Sequence, residues 1–254
     1  MKNKKGALTP LLYVISVIFW ISVWWVAAAI LNKELVLPSP VRAFSVLISF
    51  TGKPSFWKTC LYSLGRVLGG FVLGVALGSI LGALSHIKAF DALFAPLMTV
   101  IRCVPVASFI ILVWYFLDKN TVPLFTAFLM VCPVMWQSVK SGMASVDPGL
   151  RAVGKVYGFS FGKRLLHIWL PPVRSHFLSG ANSSLGLAWK AGVAAEVLCQ
   201  PLISIGKEIY LTKNYLETAE LFAWTLVVVI FSLALESLLK LASRRQNDRD
   251  KKYQ

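Results

Sequence analysis

Apolar stretches of membrane-spanning length alternate with short polar ones along this chain. The runs 6–32, 67–85 and 120–139 carry no charged residue, and roughly 20 apolar residues suffice for a helix to cross the hydrocarbon core. Backbone polar groups in lipid must be satisfied within the segment, so each run predicts a helix. The ten-residue alternation of a membrane barrel is absent. The pattern predicts six spans, near 8–31, 60–84, 92–117, 122–143, 172–198 and 218–241. Between the first two, Pro38 and Pro40 interrupt any continuous helix. An amphipathic stretch from Val41 to Phe50 follows and predicts an interfacial helix in an external loop. In the second span Gly65, Gly69, Gly70, Gly74, Gly78 and Gly82 recur mostly every four residues, a spacing that lets helices approach closely in lipid. The chain from Ser243 onward is polar and is expected to be irregular. The fold class is all-α membrane protein. Three parts are expected: 1–59 with the first span and external loop, a core at 60–242, and a polar tail at 243–254.

Composition agrees, with 57% hydrophobic residues among 254 and a mean hydropathy of +0.69. The net charge of +15 raises nucleic-acid binding as a class. No basic stripe interleaved with aromatics lies on a soluble domain, and the positive-inside bias accounts for the excess. With the N-terminus inside, the inner segments 1–7, 85–91, 140–174 and 240–254 hold 16 Lys and Arg, and the outer segments hold 7. Both termini are therefore expected in the cytoplasm. The first outer loop, with Lys33, Arg42, Lys53 and Lys58, runs against the bias. The first apolar run is too long for a signal-peptide core and is expected to be a retained span. Cys60, Cys103, Cys132 and Cys199 form no CxxC, and His86, His167 and His176 have no metal-ligand spacing. No metal or cofactor is expected.

The longest inner loop carries the most specific pattern. Leu150, Val153, Tyr157, Phe161, Leu165 and Ile168 are spaced three or four apart, one face of a helix. Arg151, Lys155, Lys163 and Arg164 lie largely off that face. Gly158 interrupts it at a cost of about 1 kcal/mol relative to Ala, which predicts a turn between two short helices that lets a partner surface approach. Pro171 predicts a stop, and Pro172 suits the first turn of the fifth span. The alternative is an amphipathic helix lying passively on the membrane surface.

Charges at membrane depth form a second group. Such charges are costly and face a bundle interior or a wet cavity. Lys190 and Glu196 are six apart, so they do not share a helix face. Each either lines a pathway, with Asn182, Ser183, Ser184 and Trp189 nearby, or pairs with another span; Lys190 also has the option of snorkelling. Arg66 suits a membrane-edge anchor. Arg102, three residues before Pro105, suits an anion-handling position on a kinked helix, or a pairing to Asp91 or Asp118.

These stretches resemble one family. Gly158, nine residues, Ile168, one residue, then Leu170 and Pro171 resembles the "EAA" loop of ABC-transporter permeases. Asp147 stands where many members carry an Asp. The EAA triplet falls on Ala152, Val153 and Gly154, so its acidic residue and second Ala are missing. LPSP at 37–40, SLGRVLGGFVLG at 63–74, the Arg102 to Pro105 pattern and AWKAGVAAE at 188–196 are similar to permeases of the nitrate/sulfonate/taurine importers. The resemblance implies a cytoplasmic coupling helix between spans 4 and 5. Asp147, Leu150, Ala152, Gly154, Gly158, Ile168, Leu170 and Pro171 would couple to a cytoplasmic ATP-binding subunit, present in two copies. It further implies a second permease subunit (here a homodimer), an extracytoplasmic solute-binding protein, and alternating access in the cell membrane. Arg102, Asn182, Trp189, Lys190 and Glu196 would line the pathway, and the basic residues favour an anionic solute. ATP hydrolysis would reside elsewhere, because the chain has no GxxxxGK[ST] loop. Two other classes compete. A secondary transporter or channel would need no docking loop. An intramembrane enzyme would need a nucleophile and base or metal ligands, and neither HExxH nor GxSxG occurs.

Overall fold

The computed structural model describes the backbone of residues 4–250, and the side chains of residue 12, residues 14–241 except 155 and 161. Among the described residues every regular element is helical. The order is α1 (Lys4–Leu31), α2 (Pro40–Thr51), α3 (Pro54–Leu84), α4 (Lys88–Cys103), α5 (Val106–Phe116), α6 (Val122–Ala144), α7 (Pro148–Val156), α8 (Phe161–Arg164), a π-helical turn (Leu165–Trp169), α9 (Leu170–Cys199), α10 (Ile205–Asn214) and α11 (Thr218–Asp250). Four of these, α1, α3, α6 and α11, are long and apolar enough to cross a membrane, and the bent pair α4 and α5 makes a fifth. Helix α9 has 30 residues, but Arg174, Lys190 and Glu196 interrupt its apolar character.

The chain forms two compact units. The first comprises residues 1–58 and 208–229. Here Ser39 caps α2 by accepting a hydrogen bond from the Arg42 N–H at 3.3 Å, with Pro40 opening the helix. The amphipathic stretch is thus a helix. Phe50, Phe56 and Trp224 pack ring against ring, with centroids 5.2–6.1 Å apart. Trp24 stacks on Phe222 and donates its indole N–H to the Pro38 carbonyl.

The second unit comprises residues 59–207 and 230–254, and α6 is its most buried long helix. Burial from water drives little association between helices in lipid; close van der Waals approach does. Gly70, Gly74, Gly78 and Gly82 supply that approach. A Cβ on any of them would collide with α6, against the Leu124 carbonyl, Val131, the Cys132 carbonyl and the Trp136 carbonyl respectively. Gly65 meets nothing and takes no part. Opposite α9, Gly142 lies against Val173 and His176, and Gly180 against Ser138. Helix α6 therefore packs closely against both α3 and α9.

Three expectations change. The third span is not one helix: it breaks between α4 and α5 with a bend of 108°. Pro105 lacks an N–H and drives Val104 to φ −70°, ψ 130°, extended geometry that a helix cannot continue. Pro171 does not stop the chain. Helix α8, the π turn and α9 run on without a gap. The Leu170 N–H reaches back to the Leu165 carbonyl, five residues away. That wider turn takes up the hydrogen bonds and ring space that Pro171 and Pro172 deny an α-helix. Finally, the tail expected to be irregular from Ser243 is helical to Asp250, and residues 251–254 lie outside the described residues.

Candidate functional site: a glycine turn and a buried polar node on one helix

Two groups of residues stand out, at opposite ends of α9. Ile168 and Glu196 are 28 positions apart, about 40 Å at the helical rise.

The first group is the α7 to α9 connection. Asp147 caps α7, its carboxylate accepting from the Gly149 N–H at 2.7 Å with Pro148 at the first helical position. The helix ends at Val156, and Gly158 in the turn that follows has φ +59°. That left-handed conformation, not crowding, demands glycine, because a Cβ there would meet no neighbour. The turn expected at Gly158 is present. Gly154 presses on the side chain of the buried Ile168, so α7 folds back onto the π turn. The Arg151 guanidinium lies over the Trp169 ring at 5.5 Å and donates to the Val146 carbonyl at 2.8 Å. The His86 ring also packs edge-on with Trp169, with centroids 4.9 Å apart. This base leaves an apolar face uncovered. Leu150, Val153, Tyr157 and Leu165 are all about half exposed or more, and Ala152, Leu170 and Pro171 are exposed beside them. Of the expected apolar stripe only Ile168 turns inward; the Phe161 side chain lies outside the described residues. Lys163 and Arg164 stand exposed at the end of α8.

The second group centres on Glu196, which is fully buried. One carboxylate oxygen accepts from the Ser63 hydroxyl at 2.7 Å and the Gly206 N–H at 3.2 Å; the other accepts from Arg66 at 3.3 Å. The Arg66 guanidinium also donates to the Ile203 carbonyl at 2.7 Å and to Asn120 Oδ1 at 3.4 Å. Ser63 accepts from the Ile205 N–H, and Ser204 accepts from the Lys207 N–H. The first three N–H groups of α10 thus all find partners, where a helix start would otherwise leave them bare. Gln200, at φ 50°, closes α9 with its N–H on the Glu196 carbonyl. Asn120 is itself held by Asp118, whose carboxylate accepts from both its backbone and side-chain N–H at 2.9 Å. Those two donors hold the exposed Asp118 carboxyl below the usual carboxylate range.

Glu196 is therefore ion-paired to another helix, one of its two expected roles, and Arg66 is that partner rather than a membrane-edge anchor. Lys190, on a different face of α9, is exposed. Trp189 is fully buried and stacks on Phe231 at 5.8 Å, and Asn182 is half-buried. Arg102 is exposed beside the break and pairs with neither acid proposed for it: Asp91 bonds Lys140 and Asp118 holds Asn120. Ser63, Asn120, Ser204 and Gly206 were not legible as parts of a site. The available signal was the Ser63 to Arg66 spacing, which puts two polar groups on one face of an apolar helix.

Comparison with known proteins fits this architecture. Residues 74–248 match the family of binding-protein-dependent transport system inner membrane components. The chain belongs to this family of ABC-transporter permeases. The permease is 24% identical to the putative aliphatic sulfonates transport permease of Bacillus subtilis, covering 89% of this chain and 82% of that one. It is 29% identical to the nitrate import permease of Synechococcus elongatus, over 78% of this chain and 75% of the relative. It is 24% identical to the taurine transport system permease of Escherichia coli, over 89% and 84%. A crystal structure of an amino acid ABC transporter shares the fold, with a TM-score of 0.61, 17% identity, and coverage of 80% of the permease and 98% of that chain. The permease is thus a multi-pass membrane protein of the nitrate/sulfonate/taurine type.

Proposed function

We propose that two copies of this permease form the membrane pathway of an ATP-driven importer for a small anionic solute, working by alternating access. Each copy crosses the membrane six times, α9 included, with both termini in the cytoplasm. Residues 60–242 form the transport core, 1–59 add a span and an external helix, and 243–254 lie at the cytoplasmic end. The observation that carries this is the α7 face. Leu150 and Val153 on a short helix, and Tyr157 just past its end, stand uncovered, and Gly154, Ile168 and the Arg151–Trp169 contact hold that helix to the base of α9. A short helix with an uncovered apolar face and a firm anchor suits force transfer from a partner better than passive rest on lipid. The partner is a cytoplasmic ATP-binding subunit, one on each copy, and ATP is hydrolysed there. An extracytoplasmic binding protein delivers the solute.

Anion preference rests on the exposed cations at membrane depth, Lys190 on α9 and Arg102 at the α4–α5 break. The relatives named above are permeases for aliphatic sulfonates, nitrate and taurine, which supports the same class. The test is uptake in vesicles holding the permease, its ATP-binding subunit and its binding protein. ATP-dependent uptake of a sulfonate or nitrate, reduced at least tenfold by Lys190→Gln, is expected. Uptake that follows an ion gradient and ignores ATP contradicts the proposal and favours a secondary transporter.

A further inference from the structure

We propose that Trp169 and His86 are positioning residues for transport: they tie α7 to the turn between α3 and α4, so that α7 is held to the transport core by a second route beside α9. This rests on the importer reading above, in which the ATP-binding subunit acts on α7.

Trp169, the last residue of the π turn, is half-buried, and three segments meet at it. Its own backbone leads directly into α9. The Arg151 guanidinium of α7 stands over its ring at 5.5 Å, a distance at which the face of an indole attracts a cation. The Arg151 Nε is buried there with no hydrogen-bond partner among the described residues. A buried donor left bare is a cost that needs a compensation. The ring contact and the bond to the Val146 carbonyl supply it. His86 meets the same Trp169 ring edge-on, with the two planes at 78°, a geometry that aromatic pairs favour. His86 belongs to neither α7 nor α9: it lies in the turn at 85–87, between α3 and α4.

That turn is itself fastened to α6. The Trp136 indole donates to Ser85 Oγ at 2.6 Å, and Ser85 donates to the Leu81 carbonyl at 3.0 Å. One turn further along α6, Lys140 bonds Asp91 in the first turn of α4, and its ammonium lies over the Trp136 ring at 4.8 Å. Arg151, Trp169, His86 and the Ser85–Trp136 bond thus form a continuous series of contacts from α7 to α6. Helix α4 starts from the same turn and ends at Arg102, one of the two cations assigned to the pathway. A displacement imposed on α7 is then shared between α9 and the α3–α4 turn, rather than passing along α9 alone. His86 is the member of the series that can be removed most cleanly. It is exposed and lines a cavity of about 150 Å³ with Ser85 and Lys140, so its ring adds little to the core.

A double-mutant cycle tests this, because it reads whether two side chains act together. The experiment uses the complete transporter in vesicles and measures solute taken up per ATP hydrolysed. His86→Ala and Trp169→Ala should each keep the ATP-binding subunit in its normal ratio and hydrolyse ATP at a near-normal rate, yet move at least threefold less solute per ATP. The double variant should be no worse than the worse single, since both changes break the same tie. Trp169→Phe, which keeps a ring for Arg151 and His86, should retain more than half of the original ratio. Solute per ATP unchanged in His86→Ala, or a double variant whose loss is the product of the two single losses, overturns the proposal. Should Trp169→Ala not fold, His86→Ala decides alone: a threefold loss supports the tie and an unchanged ratio ends it. Should the unmodified protein show no ATP-driven uptake, the importer reading itself fails, a result distinct from an active transporter indifferent to His86.

Discussion

Residue by residue, the strongest constraint is the Arg66–Glu196 pair. A buried ion pair contributes little net stability over an apolar packing of the same shape, but removing one partner leaves a charge uncompensated, at a cost of about 3–5 kcal/mol. Arg66→Ala and Glu196→Ala should therefore each lower the thermal stability of the purified permease sharply. The Arg66→Ala/Glu196→Ala double variant should be no less stable than the worse single, and thermal unfolding of all four proteins in detergent checks it. Additive losses would show that the pair does not act as a unit. The sequence made part of this visible. Six-residue spacing puts Lys190 and Glu196 on different faces, and one is exposed while the other is buried. The pairing itself was hidden, since Ser63 and Arg66 lie 133 and 130 residues from Glu196. No local pattern carries information over that separation. Arg102 shows the converse: two acids were available nearby in sequence, and geometry gives each a different partner.

Among the elements, the spans were largely legible because lipid imposes length and apolarity together. The fourth, expected at 122–143, is the helix Val122–Ala144. What escaped was the response of helices to proline. Pro105 breaks its helix, whereas Pro133 sits within α6 and Pro171 is absorbed by a π turn. A proline removes one bond in every case. Whether the chain bends or widens depends on neighbours the sequence does not display. The glycine ladder was visible as a spacing, but only the structure separates Gly70, Gly74, Gly78 and Gly82, which touch α6, from Gly65, which touches nothing. Overpacking such a contact costs about 1–3 kcal/mol. Gly78→Leu should accordingly reduce the yield of folded permease severalfold, and Gly65→Leu should leave it unchanged, measured as monodisperse protein on size-exclusion chromatography. Gly158 poses a different requirement, a left-handed backbone with open space around it. Asn tolerates that conformation, while a β-branched side chain strains it. Gly158→Asn should keep most uptake and Gly158→Val should lose it, with both proteins folded. Equal uptake in the two would mean that the turn's conformation does not matter.

For the whole molecule, the family follows from the match at 74–248, and the proposed path of force runs along α9. Helix α9 joins the uncovered α7 face to the Glu196 node in one unbroken run. Apolar residues left bare on α7 need a cover, and we assign that cover to the ATP-binding subunit. A physical partnership is therefore required, and it is checked by purifying the tagged permease from its native membrane in mild detergent and identifying by mass spectrometry what accompanies it. The expected result is an ATP-binding subunit in a one-to-one ratio with the permease, lost when Leu150 and Tyr157 are both changed to Asp. A folded permease that comes out of the membrane with no ATP-binding subunit, under conditions that keep a known transporter complex intact, would contradict it.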